Sequence, residues 1–358
     1  MKNVFILGAG ASKQAGGPLM TDFLDKAYDH LRLKEQGARE AQREFEMVFD
    51  AISELQGVHA KAYLDLDNLE IVFGAIEMGT LIKKLGKRTD EEIIELRNAF
   101  VTVIYKTLEF NIRFPVGGGG TRIHPPAPYN DFVSRLGTIK AGVKPQDPVE
   151  YSFITFNYDL CLDYALHFHR FGYDYCLTGA KGSGRSPLLK LHGSINWGVA
   201  DDGEIVPKYV SEARFDLYPG LDHVFYNLGS TLHLKEHKGS KLNGPPVIVP
   251  PTWNKNSYHG QLSNVWAVAA EELSEAENIF IIGYSLPETD SFFRYLYALG
   301  SESKKRLRNF VVINPDDSGV TKERFLQMVG RGVEGRFTYI PKTFNNALAD
   351  IERYIRTP

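Results

Sequence analysis

The chain has 358 residues, 43% hydrophobic and 24% charged; that is enough apolar material for one large or two ordinary domains, and it excludes a disordered, collagenous or coiled-coil protein. Forty-one basic against 44 acidic residues leave a formal charge of −3, so no global basic field draws the chain to nucleic acid or an anionic membrane, and neither partner is expected. The only cysteines, Cys161 and Cys176, form no CxxC pair and supply neither a cysteine zinc site nor a disulfide framework; no metal is expected.

Val4 to Leu7 read as a strand buried on both faces, and glycines follow at once, predicting a strand-turn-helix opening. No basic and then apolar leader precedes it, and no apolar run approaches the roughly 18 residues that span a bilayer, so a cytoplasmic protein is expected. From about Thr21 to Phe114 the spacing becomes helical. Phe45, Val48, Phe49, Ile52 and Leu55 share one stripe, Leu69, Val72, Phe73 and Ile76 another, and Thr89 with Glu92 predicts a capping box. Three or four helices after a single strand read as an insertion over residues 21–128, ending in the Gly- and Pro-rich connector Pro115 to Pro128.

Strand candidates follow at Ser152 to Phe156, Leu188 to Leu191, Val247 to Val249, Ile279 to Ile282, Phe310 to Ile313 and Phe337 to Ile340. Helical patterns alternate with them at Trp266 to Ala276 and Phe292 to Leu299. The alternation predicts an α/β domain on a mostly parallel, Rossmann-like sheet, formed by residues 1–20 and 129–358. Residues 200–245 show no clear period.

Several of these strands end in polar tips. Gly8-Ala9-Gly10-Ala11-Ser12 places small residues after the first strand, where backbone amides and a helix start suit a pyrophosphate. Lys13 occupies the third glycine position of GxGxxG, which disfavours an ordinary dehydrogenase; a plain strand-to-helix turn is the bland reading. Thr155-Phe156-Asn157-Tyr158-Asp159 ends the next strand. Asn157 is either a ribose- or water-binding amide or a helix cap, and Asp159 reads as a first-turn helix acid or a partner for a backbone amide. His192, in Leu191-His192-Gly193-Ser194, is either a proton acceptor near neutral pH or a satisfied structural histidine. Gly283 and Ser285 are candidate phosphate or ribose contacts, whereas Pro287 and Asp290 fit a helix start. Asn314 either binds a ribose or closes a turn. A doubly wound sheet gathers such tips along one edge, so together they predict a cleft.

The order of these motifs resembles the sirtuin fold, and within it the NAD-hydrolysing domains of bacterial antiphage defence systems. GAGAS resembles the sirtuin pyrophosphate loop, TFNYD at 155–159 the threonine-x-asparagine-x-aspartate signature, and LHGS at 191–194 the catalytic histidine segment. GYS at 283–285 and Ile313-Asn314 resemble the later nucleotide segments. The four-cysteine zinc ribbon is missing, and Leu19-Met20-Thr21-Asp22 replaces the proline-aspartate-phenylalanine-arginine loop of deacylases. Asp67-Asn68-Leu69-Glu70, TFNYD and GYSLPETD together look like the defence branch.

The resemblance implies NAD+ as substrate and cleavage of its nicotinamide-ribose bond, giving ADP-ribose or a cyclised product. It implies Asn157 and His192 as catalytic residues, with Gly8, Ala9, Gly10, Ser12, Asp159, Gly283, Ser285 and Asn314 binding the dinucleotide. A homo-oligomer and a separate partner protein, such as an ATPase or sensor, are the implied context. The alternatives are a zinc-free deacylase or ADP-ribosyltransferase, and a silent NAD or ADP-ribose binding module.

Overall fold

The computed structural model describes all residues except 35, 58–62, 118–121, 145, 213–224, 227–235, 238–239, 250–258, 288–290, 301, 303–304 and 357–358. Seven strands form the main sheet: β1 (Lys2–Leu7), β2 (Glu150–Thr155), β3 (Tyr173–Asp174), β4 (Ser186–Lys190), β5 (Asn278–Ile282), β6 (Asn309–Ile313) and β7 (Phe337–Ile340). Their spatial order is β7-β6-β5-β1-β2-β4-β3, and every pairing is parallel. The α/β class and the parallel sheet agree with the sequence reading. The first strand lies in the middle, with later strands added on one side and then on the other. That reversal opens a crevice beyond the strands' carboxyl ends.

Burial explains why β1 takes the centre: all six of its residues are buried. Phe5 stands in register with Phe153 on one neighbour and Phe280 on the other, and the three rings stack at 5.6 and 5.1 Å between centroids. At the amino-terminal end, Asn309 Nδ2 donates to Asn278 Oδ1 (2.8 Å), and Asn278 Nδ2 donates to Asn3 Oδ1 (2.9 Å). This amide ladder satisfies buried polar groups in one register only, and a slip of one residue would strand them.

Helices α1 (Phe23–Arg32), α2 (Gln42–Gln56), α3 (Leu69–Ile82) and α4 (Asp90–Asn111) occupy the inserted segment and pack on one another. Phe45, Val48 and Leu55 of α2, and Leu69, Val72, Phe73 and Ile76 of α3, are buried as their stripes predict, while Phe49 and Ile52 are half-buried. The capping box is present: Thr89 Oγ1 accepts from Glu92 N–H and Glu92 Oε2 accepts from Thr89 N–H. Thr89→Ala is expected to cost about 1 kcal/mol, lowering the melting temperature by about 2 °C in a calorimetric scan.

Around the sheet lie α5 (Tyr129–Gly142), α6 (Cys161–Phe168), α7 (His259–Ser274), α8 (Ser291–Gly300), α9 (Val320–Met328) and α10 (Leu348–Arg356). Phe132 of α5 meets Phe5 edge-on at 5.1 Å.

Three expectations change. Val247 to Val249 do not join the parallel sheet; Ile248 forms an isolated antiparallel bridge with Gly193. All three residues are buried, so their apolar run reported burial and not sheet membership. The unassigned stretch contributes to a four-stranded sheet of Ile205–Pro207, Trp197–Ala200, Ser240–Asn243 and Glu236–His237. The connector is tied down in part: Phe114–Pro115 pairs with Phe225–Tyr226, and Val116 bridges Ile123. Gly118 to Gly120, and Thr289 and Asp290, lie outside the described residues.

Candidate functional site

Register brings the polar tips to one edge. Leu7 stands opposite Thr155 and Ile282, Thr155 opposite Lys190, and Ile282 opposite Ile313. The loops that follow therefore leave the sheet at one level and surround a cavity of about 520 Å³, within the roughly 300–1,000 Å³ typical of small-molecule sites. Among the expected site residues, Ala9, Gly10, Asn157, His192, Gly283, Ser285 and Asn314 line it. Gly8, Ser12 and Asp159 do not; they stand behind the wall.

The buried polar chain behind the wall fixes the orientation of Asn157. Asp159, an acceptor only, takes Ser12 Oγ–H at 2.7 Å and Cys161 N–H at 2.9 Å. With its one hydrogen spent, Ser12 Oγ accepts from Asn157 Nδ2 (3.1 Å) and from Tyr129 OH (2.8 Å). Burial first, and then the Asp159 charge, hold the Tyr129 hydroxyl well above its usual pKa, so it remains a donor. The second hydrogen of Asn157 Nδ2 goes to Gly8 O at 2.9 Å. Both amide hydrogens are thereby used within the protein, which leaves Oδ1 to receive a proton donor from the cavity. Ser12 and Asp159, both expected at the dinucleotide, lie one layer back, where Asp159 holds Ser12 and Ser12 holds Asn157.

The Gly8 to Ser12 loop also differs from expectation. Gly10 N–H donates to Gly283 O (2.8 Å), Gly8 N–H to Ile282 O (3.0 Å) and Ala11 N–H to Gly8 O (2.9 Å). The Gly8 and Gly10 amides hold two strand-end loops together and the Ala11 amide closes the turn between them, so these three are not available to a pyrophosphate. A Cβ on Gly8 would lie 2.7 Å from Tyr284 Cα, and one on Gly10 would lie 2.8 Å from Gly283 O. Glycine is required here for the approach of one loop to the other. The helix that follows, Ala9–Ser12, is a single turn, too short for much of a macrodipole.

His192 is 4% exposed, its ring 5.2 Å from that of Phe156 and 6.5 Å from that of Trp266. Its backbone is clamped by the 247–249 segment, with Val249 N–H donating to His192 O (2.9 Å) and Ser194 N–H donating to Val247 O (2.8 Å). Gly193 has φ +86°, and a Cβ there would fall 2.1 Å from Val247 O. Lys190, fully buried two residues earlier, reaches across to the other tip. Its Nζ donates to Asp159 O (2.5 Å) and pairs with Asp163 Oδ2 (3.2 Å). This buried contact couples the Asn157 and His192 loops.

Asn314 is engaged at both ends. Oδ1 accepts from Asp316 N–H (3.0 Å) and Nδ2 donates to Tyr284 O (3.4 Å), so it closes a turn at the cavity wall. Ser285 is exposed there. Cys161 and Cys176 are buried and unbridged; burial pushes the Cys161 thiol well above its usual pKa and that of Cys176 up to about 12. Among the described residues, no group of three or more His, Cys, Asp or Glu is placed to hold a metal. No helix formed by the described residues is long and apolar enough to cross a membrane.

Lys13 and Glu70 also line the cavity, although the sequence reading placed neither in the site and noted Glu70 only within a family-like motif. Lys13 was visible only as a failed glycine position. Glu70 comes from the first turn of α3, where Asn68 Oδ1 caps the Glu70 N–H at 2.9 Å. Leu19, Met20 and Thr21 line the same space, as do the stacked rings of Phe156 and Tyr284 (4.4 Å).

No protein-family model and no curated protein matches the chain. Solved structures with a similar layout include a Sir2 homologue in complex with ADP-ribose in two mutant forms. These have 14% and 13% identity and TM-scores of 0.40 and 0.41, each match covering 99% of this chain and 92% of that one. Another is described as the structural basis for the mechanism and regulation of Sir2 enzymes, with 12% identity, a TM-score of 0.37, and coverage of 100% of this chain and 94% of that one. The organisation of the site itself, and not this distant likeness, carries the functional reading.

Proposed function

We propose that this chain cleaves NAD+ at the nicotinamide-ribose bond, releasing nicotinamide and giving ADP-ribose when water takes C1′, or the cyclised form when a nucleophile within the same molecule does. One observation supports the reading above others: Asn157 and His192, on the loops after adjacent strands β2 and β4, line a single cavity. In NAD+ the nicotinamide is already cationic and leaves as a neutral ring, so the C1′ bond breaks through an oxocarbenium-like state with no acid on the leaving side. Asn157 Oδ1 accepts a hydrogen bond from the attacking water or a ribose hydroxyl, holding it near C1′. His192 takes the proton as water adds.

Lys13, the one lysine or arginine lining the cavity among the described residues, pairs with the pyrophosphate in this reading, and Glu70 accepts from ribose hydroxyls. Charge-assisted hydrogen bonds contribute roughly 1.5–3 kcal/mol. Lys13→Ala should therefore raise KM for NAD+ about tenfold or more while kcat changes little; steady-state kinetics on the purified variant read both. An unchanged KM would remove Lys13 from the binding site.

We assign residues 21–128 to a lobe that contributes Glu70 to the site, and residues 1–20 and 129–358 to the catalytic domain. Defence by NAD+ depletion, with self-assembly or a partner protein as trigger, belongs to the same proposal and rests on the sequence motifs. The direct test is incubation with NAD+, with and without co-expressed partners, followed by chromatography of the products. Nicotinamide and ADP-ribose formed with no protein acceptor support hydrolysis; release only when an acylated peptide is added favours the deacylase alternative. Tight binding with NAD+ recovered intact under every condition favours the silent module.

A further inference from the structure

At the opposite end of the sheet, a shallow basin of about 960 Å³ opens beside the amino-terminal ends of β5, β6 and β7. Its walls carry five cations, Lys305, Arg306, Arg308, Arg336 and Arg353, against one carboxylate, Glu277. The main-sheet topology produces the cluster. Lys305, Arg306 and Arg308 lead into β6, Arg336 immediately precedes β7, and Arg353 projects from α10.

Glu277 does little to neutralise the basin, because it is shared: Oε2 lies 3.1 Å from Arg308, and Oε1 accepts from Lys2 N–H (3.2 Å) and lies 3.7 Å from the terminal amine. Arg353 also contacts Asp350 at 3.3 Å and lies over the Tyr354 ring at 5.2 Å. Lys305, Arg306, Arg308 and Arg353 are exposed, and Arg336 is half-buried. A chain-wide charge of −3 hides this local field. Several like charges around one concavity repel each other, and a multivalent anion relieves that repulsion. Four of the five are arginines, whose planar forks match phosphate oxygens.

We propose that this basin binds clustered phosphates, a chemistry shared by a nucleoside polyphosphate and an oligonucleotide backbone. It is independent of the catalytic reading. The test is fluorescence anisotropy on the full chain with two probes, a labelled oligothymidylate of about twelve nucleotides and a fluorescent ATP analogue. At least one should bind. If four phosphates of a single strand are neutralised, the logarithm of affinity should fall against the logarithm of salt with a slope of about −3. The double variant R306E/R336E should bind about tenfold or more weakly, with a slope nearer −1.5 for the strand. Arg43→Ala, an exposed charge on α2 that lines neither the basin nor the cavity, should change binding less than about twofold.

Oligonucleotide binding that ATP does not displace identifies a strand as the source, and binding of the ATP analogue alone identifies a free nucleotide. Thermal melting checks that the variants fold; Arg306→Ala, on the surface, repeats the test with a smaller loss. The proposal is overturned if neither probe binds at low salt, if R306E/R336E binds like the parent, or if polyglutamate of equal charge binds as tightly.

Discussion

Alanine at position 192 should lower the rate of nicotinamide release from NAD+ by about 10²–10⁴-fold, equivalent to roughly 3–5 kcal/mol of barrier, with little change in the melting temperature. The size follows from the role: a positioned base removes a proton from water as it adds to C1′, and no other histidine lines the cavity among the described residues. The side chain can be lost without unfolding because the backbone of this loop is held by its own bonds to Val247 and Val249. The effect should appear in kcat, since a base acts in the transition state and contributes little to ground-state binding. A variant that folds and turns over NAD+ at the parental rate would assign the proton transfer to another group.

The second large effect is expected at Gly283. This residue has φ +61°, and a Cβ there would lie 2.2 Å from Ala11 N and 2.4 Å from Gly10 C. Those neighbours are backbone and cannot rotate away. Left-handed geometry alone costs an alanine about 1–2 kcal/mol, and the clash forces apart the two loops that Gly10 N–H and Gly283 O hold at 2.8 Å. Gly283→Ala should therefore lose about 3 kcal/mol or more of stability, a drop of roughly 6 °C in melting temperature, together with most activity. Gly244→Ala is the control. Gly244 has φ +70° with nothing within 4 Å of a built Cβ, so only the conformational cost of about 1–2 kcal/mol applies there. Equal losses at the two positions would show that loop interlock contributes nothing.

The buried strands were legible because the sheet covers both of their faces: near-continuous apolar runs such as Val4 to Leu7 and Ile279 to Ile282 have no other economical reading. The edge strand Tyr173–Asp174 and the smaller antiparallel sheet escaped notice for the opposite reason. Their strands are two to four residues long and include Glu236, His237 and Lys241, so neither length nor alternation marks them. Val247 to Val249 show the same ambiguity from the other side, since buried apolar residues need not belong to the main sheet.

Within the site, Asn157 and His192 could be singled out because polar residues that end apolar strands are unusual and a parallel sheet collects them. What lies one layer back was legible only in part. The glycines of GAGAS suggested close approach to a ligand, whereas Gly8 and Gly10 serve the approach of the Gly283 loop. Asp159 accepts from the Cys161 amide, one of the roles its place predicts, and from Ser12, which in turn accepts from Asn157. Glu70 sits in a helix separated from either tip by long stretches of sequence, and only tertiary packing brings it to the cavity.

If Asn157 and His192 address one sugar carbon, a crystal structure with an NAD+ analogue whose ring oxygen in the nicotinamide-bearing ribose is replaced by methylene will show it. The expected complex has the pyrophosphate beside Lys13 and the carbon bearing nicotinamide within one water's reach of both Asn157 Oδ1 and the His192 ring. An analogue seated in the cavity with that carbon turned away from either side chain, or bound elsewhere on the molecule, would exclude a joint role for Asn157 and His192 at C1′.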